Sequence, residues 1–152
     1  MITKLTRAQW AIFDLWENPP PAYAKGRFAI VGDAAHATSP HHGAGAGMCI
    51  EDAAAMAELL ADDAVKGGKD LEAVFATFHE VRKERGEFLV QTSRRIGDVY
   101  EWRAEGVGSD FAKMEEDINW RNAALGDVNV GEMCKAARSN LQSKLSAQQG
   151  KL

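Results

Sequence analysis

Between Gly26 and Ala55 the chain reads GRFAIVGDAAHATSPHHGAGAGMCIEDAAA, and this stretch holds the residues whose types and spacing could do chemistry. Gly32-Asp33 fixes a carboxylate just after a short apolar run. Gly43, Gly45 and Gly47 then remove side chains at alternate positions before a helical pattern that begins near Met48. A helix N-terminus carries unpaired N–H groups and partial positive charge, so it can hold an electron-rich oxygen. Glycine lets backbone come into contact with a flat ligand. The chemistry expected is binding: one carboxylate accepts hydroxyl hydrogen bonds while a helix end faces an acceptor oxygen.

The ordered series Gly32-Asp33-Ala34-Ala35-His36, Pro40, Gly43-Ala44-Gly45-Ala46-Gly47 and Glu51-Asp52-Ala53 resembles the second flavin-binding motif of the FAD-dependent aromatic hydroxylases. It is most similar to salicylate hydroxylase-like members, which also carry a Pro-His-x-Gly-Ala-Gly-Ala-Gly run. The resemblance implies that Asp33 bonds the ribityl chain of FAD and that Pro40 sits beside the isoalloxazine. It implies that backbone N–H groups around Gly45, Ala46 and Gly47 face the flavin N1/O2 edge, with Gly32 and Gly43 shaping the approach. His41 and His42 would lie toward the ring and a small aromatic substrate. The implied parent reaction is hydroxylation of a salicylate-like aromatic acid with NAD(P)H and O2. No residue here is assigned a catalytic role.

That family opens with a strand, GxGxxG and a helix that hold the ADP half of FAD. No GxGxxG occurs in this sequence, and the glycines at 43, 45 and 47 have the wrong spacing for it. The chain therefore resembles the C-terminal third of such an enzyme. The expected fold is mainly α with one or two short β-strands, the C-terminal part of an α/β FAD-binding fold. Residues 1–152 read as a single incomplete segment, with strands and linker over 10–32, a flavin loop over 33–47, helices over 48–145 and a tail over 146–152. A truncated gene model, a split gene and a diverged remnant all fit. So do three functions: a flavoenzyme segment inactive alone, one half of a split flavoenzyme, and a non-enzymatic helical interaction module.

Other constellations are weaker. His36, His41 and His42 match no usual zinc spacing, and no metal site is expected. In the family the first of these histidines is structural. Ser39, His41 and Asp33 lack the nucleophile elbow of a hydrolase. Glu51 and Asp52 read as compensation of a helix dipole, and Arg82 and Arg85 as a solvated or salt-bridged face. Phe111, Trp102 and Trp120 read as packing residues. Ile96–Arg103 and the 119–130 segment also resemble the family's C-terminal helices. Where relatives carry Ile-Trp before an Asp, this chain has Leu125-Gly126-Asp127, which loses an aromatic anchor.

The elements that must position the loop follow from pattern. Phe28–Val31 reads as a strand buried on both faces, and Trp10–Leu15 as a strand or a helix end. Pro19-Pro20-Pro21 forbids a helix. Helices are expected over about 46–65, ended by Gly67-Gly68, then from an Asp70 cap to about Gly97 or Trp102 with a bend near Gly86. Gly106–Ser109 breaks the chain. Further helices are expected from Asp110 to about 122 and over about 130–144.

Composition fits one domain: 152 residues, 45% hydrophobic, net charge −4. Lys and Arg are dispersed, so no nucleic-acid partner is expected. No apolar run spans a membrane and no export signal is seen, which gives an expectation of a cytoplasmic protein. Cys49 and Cys134 read as free thiols. With few strands to pair, Trp10, Phe13, Phe28 and Ile30 are expected to form an exposed apolar patch, open to a missing N-terminal half or to self-association. The isolated chain is expected to be helical but poorly fixed.

Overall fold

A computed structural model describes residues 11–149. The elements run β1 (Ala24–Lys25), β2 (Phe28–Ala29), α1 (Asp33–His36), a 3-10 turn (Pro40–His42), α2 (Gly45–Leu60), α3 (Leu71–Tyr100), α4 (Phe111–Gly126) and α5 (Val130–Gln149). The mainly helical reading with two short strands holds.

The strands correct the sequence reading in detail. β1 and β2 form a two-residue antiparallel hairpin, pairing Ala24 with Ala29 and Lys25 with Phe28. Gly26, at φ +58°, makes its turn. The run Phe28–Val31 is thus half strand, and it is not buried on both faces: Phe28 is 84% exposed. No further strand lies among the described residues to cover it. Residues 11–15 form no strand either, although the Leu15 amide donates to the Ala37 carbonyl; Trp10 lies outside the described residues. Of the residues expected in an exposed apolar patch, Phe13 and Phe28 are exposed and Ile30 packs on the core; Ile12 and Val31 are exposed as well.

That core is helical. Ala55 and Leu59 of α2, Val74 and Phe78 of α3, and Ala137 and Leu141 of α5 are buried together with Tyr23 and Ala35. Close-packing alanines on α2 and α5 bring these helices near each other. The helices close on one another through these side chains. α2 stops at Leu60, short of the expected end. Asp62 Oδ1 accepts from the Ala64 amide at 2.8 Å and turns the chain away. Asp70 does not cap α3; its carboxylate accepts from the Lys66 amide at 2.8 Å.

α3 continues unbroken through Gly86. The glycine serves approach instead of bending: a Cβ there would strike Tyr23 Oη and come within 3.0 Å of the His36 ring. Gly97 does the same for His41, whose ring would lie 2.9 Å from an added Cβ. Asp110 caps α4 as expected, accepting from the amides of Ala112 and Lys113. Gly126 closes α4, a place where glycine costs less than in a helix interior. α4 buries none of its residues, and Trp102, Phe111 and Trp120 are exposed, against the packing role expected of them. Trp120 meets Phe88 edge-on, with centroids 6.1 Å apart, and lies under the Arg121 guanidinium. α5 runs to Gln149, beyond the expected start of the tail.

Candidate functional site

The Gly32–Gly47 loop winds along α2 and α3. Gly32 adopts φ +58° and ψ −139°, and an added Cβ would meet Cys49 Sγ at 3.2 Å. Its carbonyl accepts from the amides of Ala35 and His36, which opens α1 at Asp33. Asp33 is exposed, and Cys49 Sγ, 4.0 Å away, is its one described side-chain partner. Pro40 begins the 3-10 turn and is exposed; Gly43 ends it at φ +66°.

α2 then starts without a side-chain cap. Ala44 O takes the Met48 amide, so the amides of Gly45, Ala46 and Gly47 are left without an intrahelical acceptor. A Cβ at Gly47 would meet nothing within 4 Å, and one at Gly45 only the Thr38 methyl at 3.5 Å. The uncapped start of α2 thus offers amide donors with open backbone at Gly47, and the exposed Asp33 carboxylate, 4.0 Å from Cys49 Sγ on the same helix, offers acceptors.

The histidines separate. His36 is buried and its Nε2 donates to Asp52 Oδ2 at 2.7 Å, while its Nδ1 has no partner among the described residues. His41 Nδ1 pairs with Ser39 Oγ at 3.0 Å, and its ring meets the edge of Tyr100. His42 Nε2 is 3.2 Å from Thr92 Oγ1, which also accepts from Arg121 Nη1. Burial pulls His42 below the ordinary histidine range; a bond with Asn122 opposes this and the Arg121 charge adds to it. No group of three or more metal-ligating side chains occurs among the described residues.

Beneath the loop lies a network in which the salt bridges expected of Arg82 and Arg85 form, but centred on a buried arginine instead of on a surface face. Arg82 is wholly buried. Its Nε donates to Asp52 Oδ1 at 2.7 Å, its Nη1 to Glu51 Oε2 at 2.9 Å, and its Nη2 faces Met48 Sδ at 2.8 Å. Asp52, buried as well, accepts from the Gly32 amide at 2.9 Å. Arg85 grips Glu51 with two bonds of 2.6 and 2.7 Å and donates to Leu125 O at 2.8 Å, tying the end of α4. Glu51 and Asp52 thus join α2 to α3, which replaces dipole compensation as their role. One signal was present in the sequence: Arg82 continues the i+4 stripe of Val74 and Phe78.

The carboxylates of this network set an acid limit. Burial works against charge on Asp52, but the bonds from His36, the Gly32 amide and Arg82 outweigh it and hold its carboxyl below the usual range. Burial likewise opposes charge on Glu51, and Arg85 and Arg82 outweigh it. A lowered folded value stabilises the fold above the unfolded value and ceases to do so as pH falls through the folded one. In urea unfolding the lowered His42 value should therefore already make stability decline as pH falls below 6.5, while the contribution of Glu51 and Asp52 should be constant above the ordinary values of 4.5 for Glu and 3.8 for Asp and fall below them. The decline should be shallower in Asp52→Asn. An equal acid limb in that variant would remove Asp52 from the account.

A family model described as an FAD binding domain matches residues 3–93, more than half of the chain. The chain belongs to the FAD-binding domain family. Among curated members and relatives, the FAD-dependent monooxygenase orf3 of Aspergillus niger is 38% identical, over 91% of this chain and 33% of its own length. Salicylate hydroxylase asL1 of Sarocladium schorii is 37% identical, over 89% of this chain and 32% of its own. A solved salicylate hydroxylase substrate complex superposes with a TM-score of 0.74 at 39% identity, covering 79% of this chain and 29% of that one. This FAD-binding domain chain spans about a third of the length of the curated relatives it matches. Among its described residues, no helix is long and apolar enough to cross a membrane.

Proposed function

We propose that this chain supplies the ribityl- and isoalloxazine-facing segment of an FAD-dependent monooxygenase that hydroxylates a salicylate-like aromatic acid. The observation that carries the reading is the uncapped start of α2 with its open glycine backbone, linked through Cys49 to the free Asp33 carboxylate. Bound FAD would supply redox chemistry with NAD(P)H and O2, and the protein's share is binding, orientation and electrostatics. Asp33 accepts hydroxyl hydrogen bonds from the ribityl chain. The amides of Gly45, Ala46 and Gly47 aim partial positive charge at the electron-rich edge of the ring. Pro40 flanks the ring, while Gly32 and Gly43, both at positive φ, turn the backbone on either side. His41 is the better substrate contact: Ser39 holds its Nδ1, which leaves Nε2 for a ligand. His42 spends Nε2 on Thr92.

With no GxGxxG to hold the ADP half, flavin contact by this chain is partial. The purified chain should lose FAD on gel filtration yet shift specific amides when FAD is titrated in. Gly47→Val should keep the fold, since its side chain meets open space, and weaken FAD binding about tenfold or more by occupying the backbone approach. Asp33→Ala should weaken it similarly through loss of a charge-assisted bond of ~1.5–3 kcal/mol. Unchanged FAD shifts in both variants would end the proposal. Exposed Phe13 and Phe28 favour a second reading, completion by a separate N-terminal chain as in a split flavoenzyme. Co-expression with such a chain should then yield yellow protein.

A further inference from the structure

Asp52 is only 1% exposed, yet it touches both flanks of the residue to which the proposed function gives flavin contact. Its Oδ2 accepts from the Gly32 amide at 2.9 Å and from His36 Nε2 at 2.7 Å. Gly32 stands immediately before Asp33, and His36 closes the single helical turn that Asp33 begins. The other oxygen, Oδ1, accepts from Arg82 Nε at 2.7 Å. One carboxylate therefore ties the entry and the exit of the Asp33 turn to a buried side chain in the middle of α3. Gly32 holds φ +58° and ψ −139°, a shape open to glycine without strain, so its own backbone preference does not fix the turn and the bonds at the two ends do. Asp33 contributes little of its own, being exposed with one thiol 4.0 Å away.

We propose that Asp52 is a positioning residue for flavin binding, which sets where the Asp33 carboxylate stands by holding the Gly32 amide and the His36 ring. It does this without touching the ligand. The inference rests on the reading that Asp33 contacts FAD. It differs from a packing role in one respect: a packing residue alters how much protein is folded, whereas Asp52 alters the affinity of the folded molecule, and only through Asp33.

The test is nuclear magnetic resonance on the full chain, with FAD as the probe. In the unaltered protein, a through-hydrogen-bond coupling should link the Gly32 nitrogen to the Asp52 carboxylate carbon; this needs no variant to fold. Its absence overturns the proposal. In Asp52→Asn, exchange of the Gly32 amide should speed up about tenfold or more relative to core amides of α3. The FAD dissociation constant should rise several-fold in Asp52→Asn, and Asp52→Asn should have no further effect when added to Asp33→Ala. Equal effects in the presence and absence of Asp33 would reduce Asp52 to a packing residue. If Asp33→Ala alone leaves FAD binding unchanged, the proposed flavin contact fails and the positioning role fails with it, whatever the coupling shows. If the coupling is absent while Asp33→Ala does weaken FAD, the contact stands and the positioning role alone is lost.

Discussion

Arg82→Ala should cost about 3–5 kcal/mol of folding stability, the range for removing one partner of a buried ion network. The guanidinium is fully enclosed and faces Asp52, Glu51 and two methionine sulfurs. Its removal takes the arginine from the buried Asp52 carboxylate and leaves a cavity between α2, α3 and α5, while Glu51 keeps its two bonds from Arg85. Arg82→Met should be nearly as damaging, because the buried Asp52 carboxylate still loses its cation. Equilibrium urea unfolding, followed by helical circular dichroism, measures both. A change below about 1 kcal/mol in either variant would show that water or a neighbour replaces the guanidinium, contrary to the network described.

The second large effect is expected at Gly86, in the same helix. Gly86→Ala puts a methyl group against Tyr23 Oη and the His36 ring, both held in place. Overpacking of this kind costs about 1–3 kcal/mol, and Gly86→Val should exceed Gly86→Ala. Helix propensity pulls the other way, since alanine is favoured over glycine by about 1 kcal/mol in a helix interior, so the net loss understates the collision by about that amount. Tyr23→Phe, which deletes the struck oxygen, should return part of the stability lost in Gly86→Ala. Gly67→Ala and Gly68→Ala, where an added Cβ meets open space, serve as controls. A stabilised Gly86→Ala would show that Tyr23 and His36 move aside freely.

How much of this was legible in the sequence depends on what each residue answers to. The helices were readable because periodicity, Asp110 and the glycine breaks are local signals, and the flavin-motif resemblance located the loop. The strand at Phe28 was misjudged because an apolar run declares burial without naming the neighbour that buries it. Asp52 and Arg82 were misjudged because charge in a helix usually faces water. Their burial follows from a meeting of α2 with α3 that neither segment announces alone. Gly86 looked like a bend because glycine weakens a helix; that it makes room for Tyr23 is visible only once the two segments, far apart in sequence, are side by side.

The two close approaches along α3 also fix a length. Gly86 and Gly97 lie eleven residues apart, about three turns, so they share a face and are separated by about 16 Å. The histidines that occupy them, His36 and His41, are five residues apart, a stretch that spans about 16–18 Å when fully drawn out. Ala37 and Ser39 between them are extended, at ψ 127° and ψ 151°, while the 3-10 turn at Pro40–His42 shortens the last step and the histidine side chains take up the remainder. The helix acts as a ruler against which the loop is cut to size. Loop length here is matched to helical pitch, so adding or deleting a residue between His36 and His41 should cost more than exchanging one.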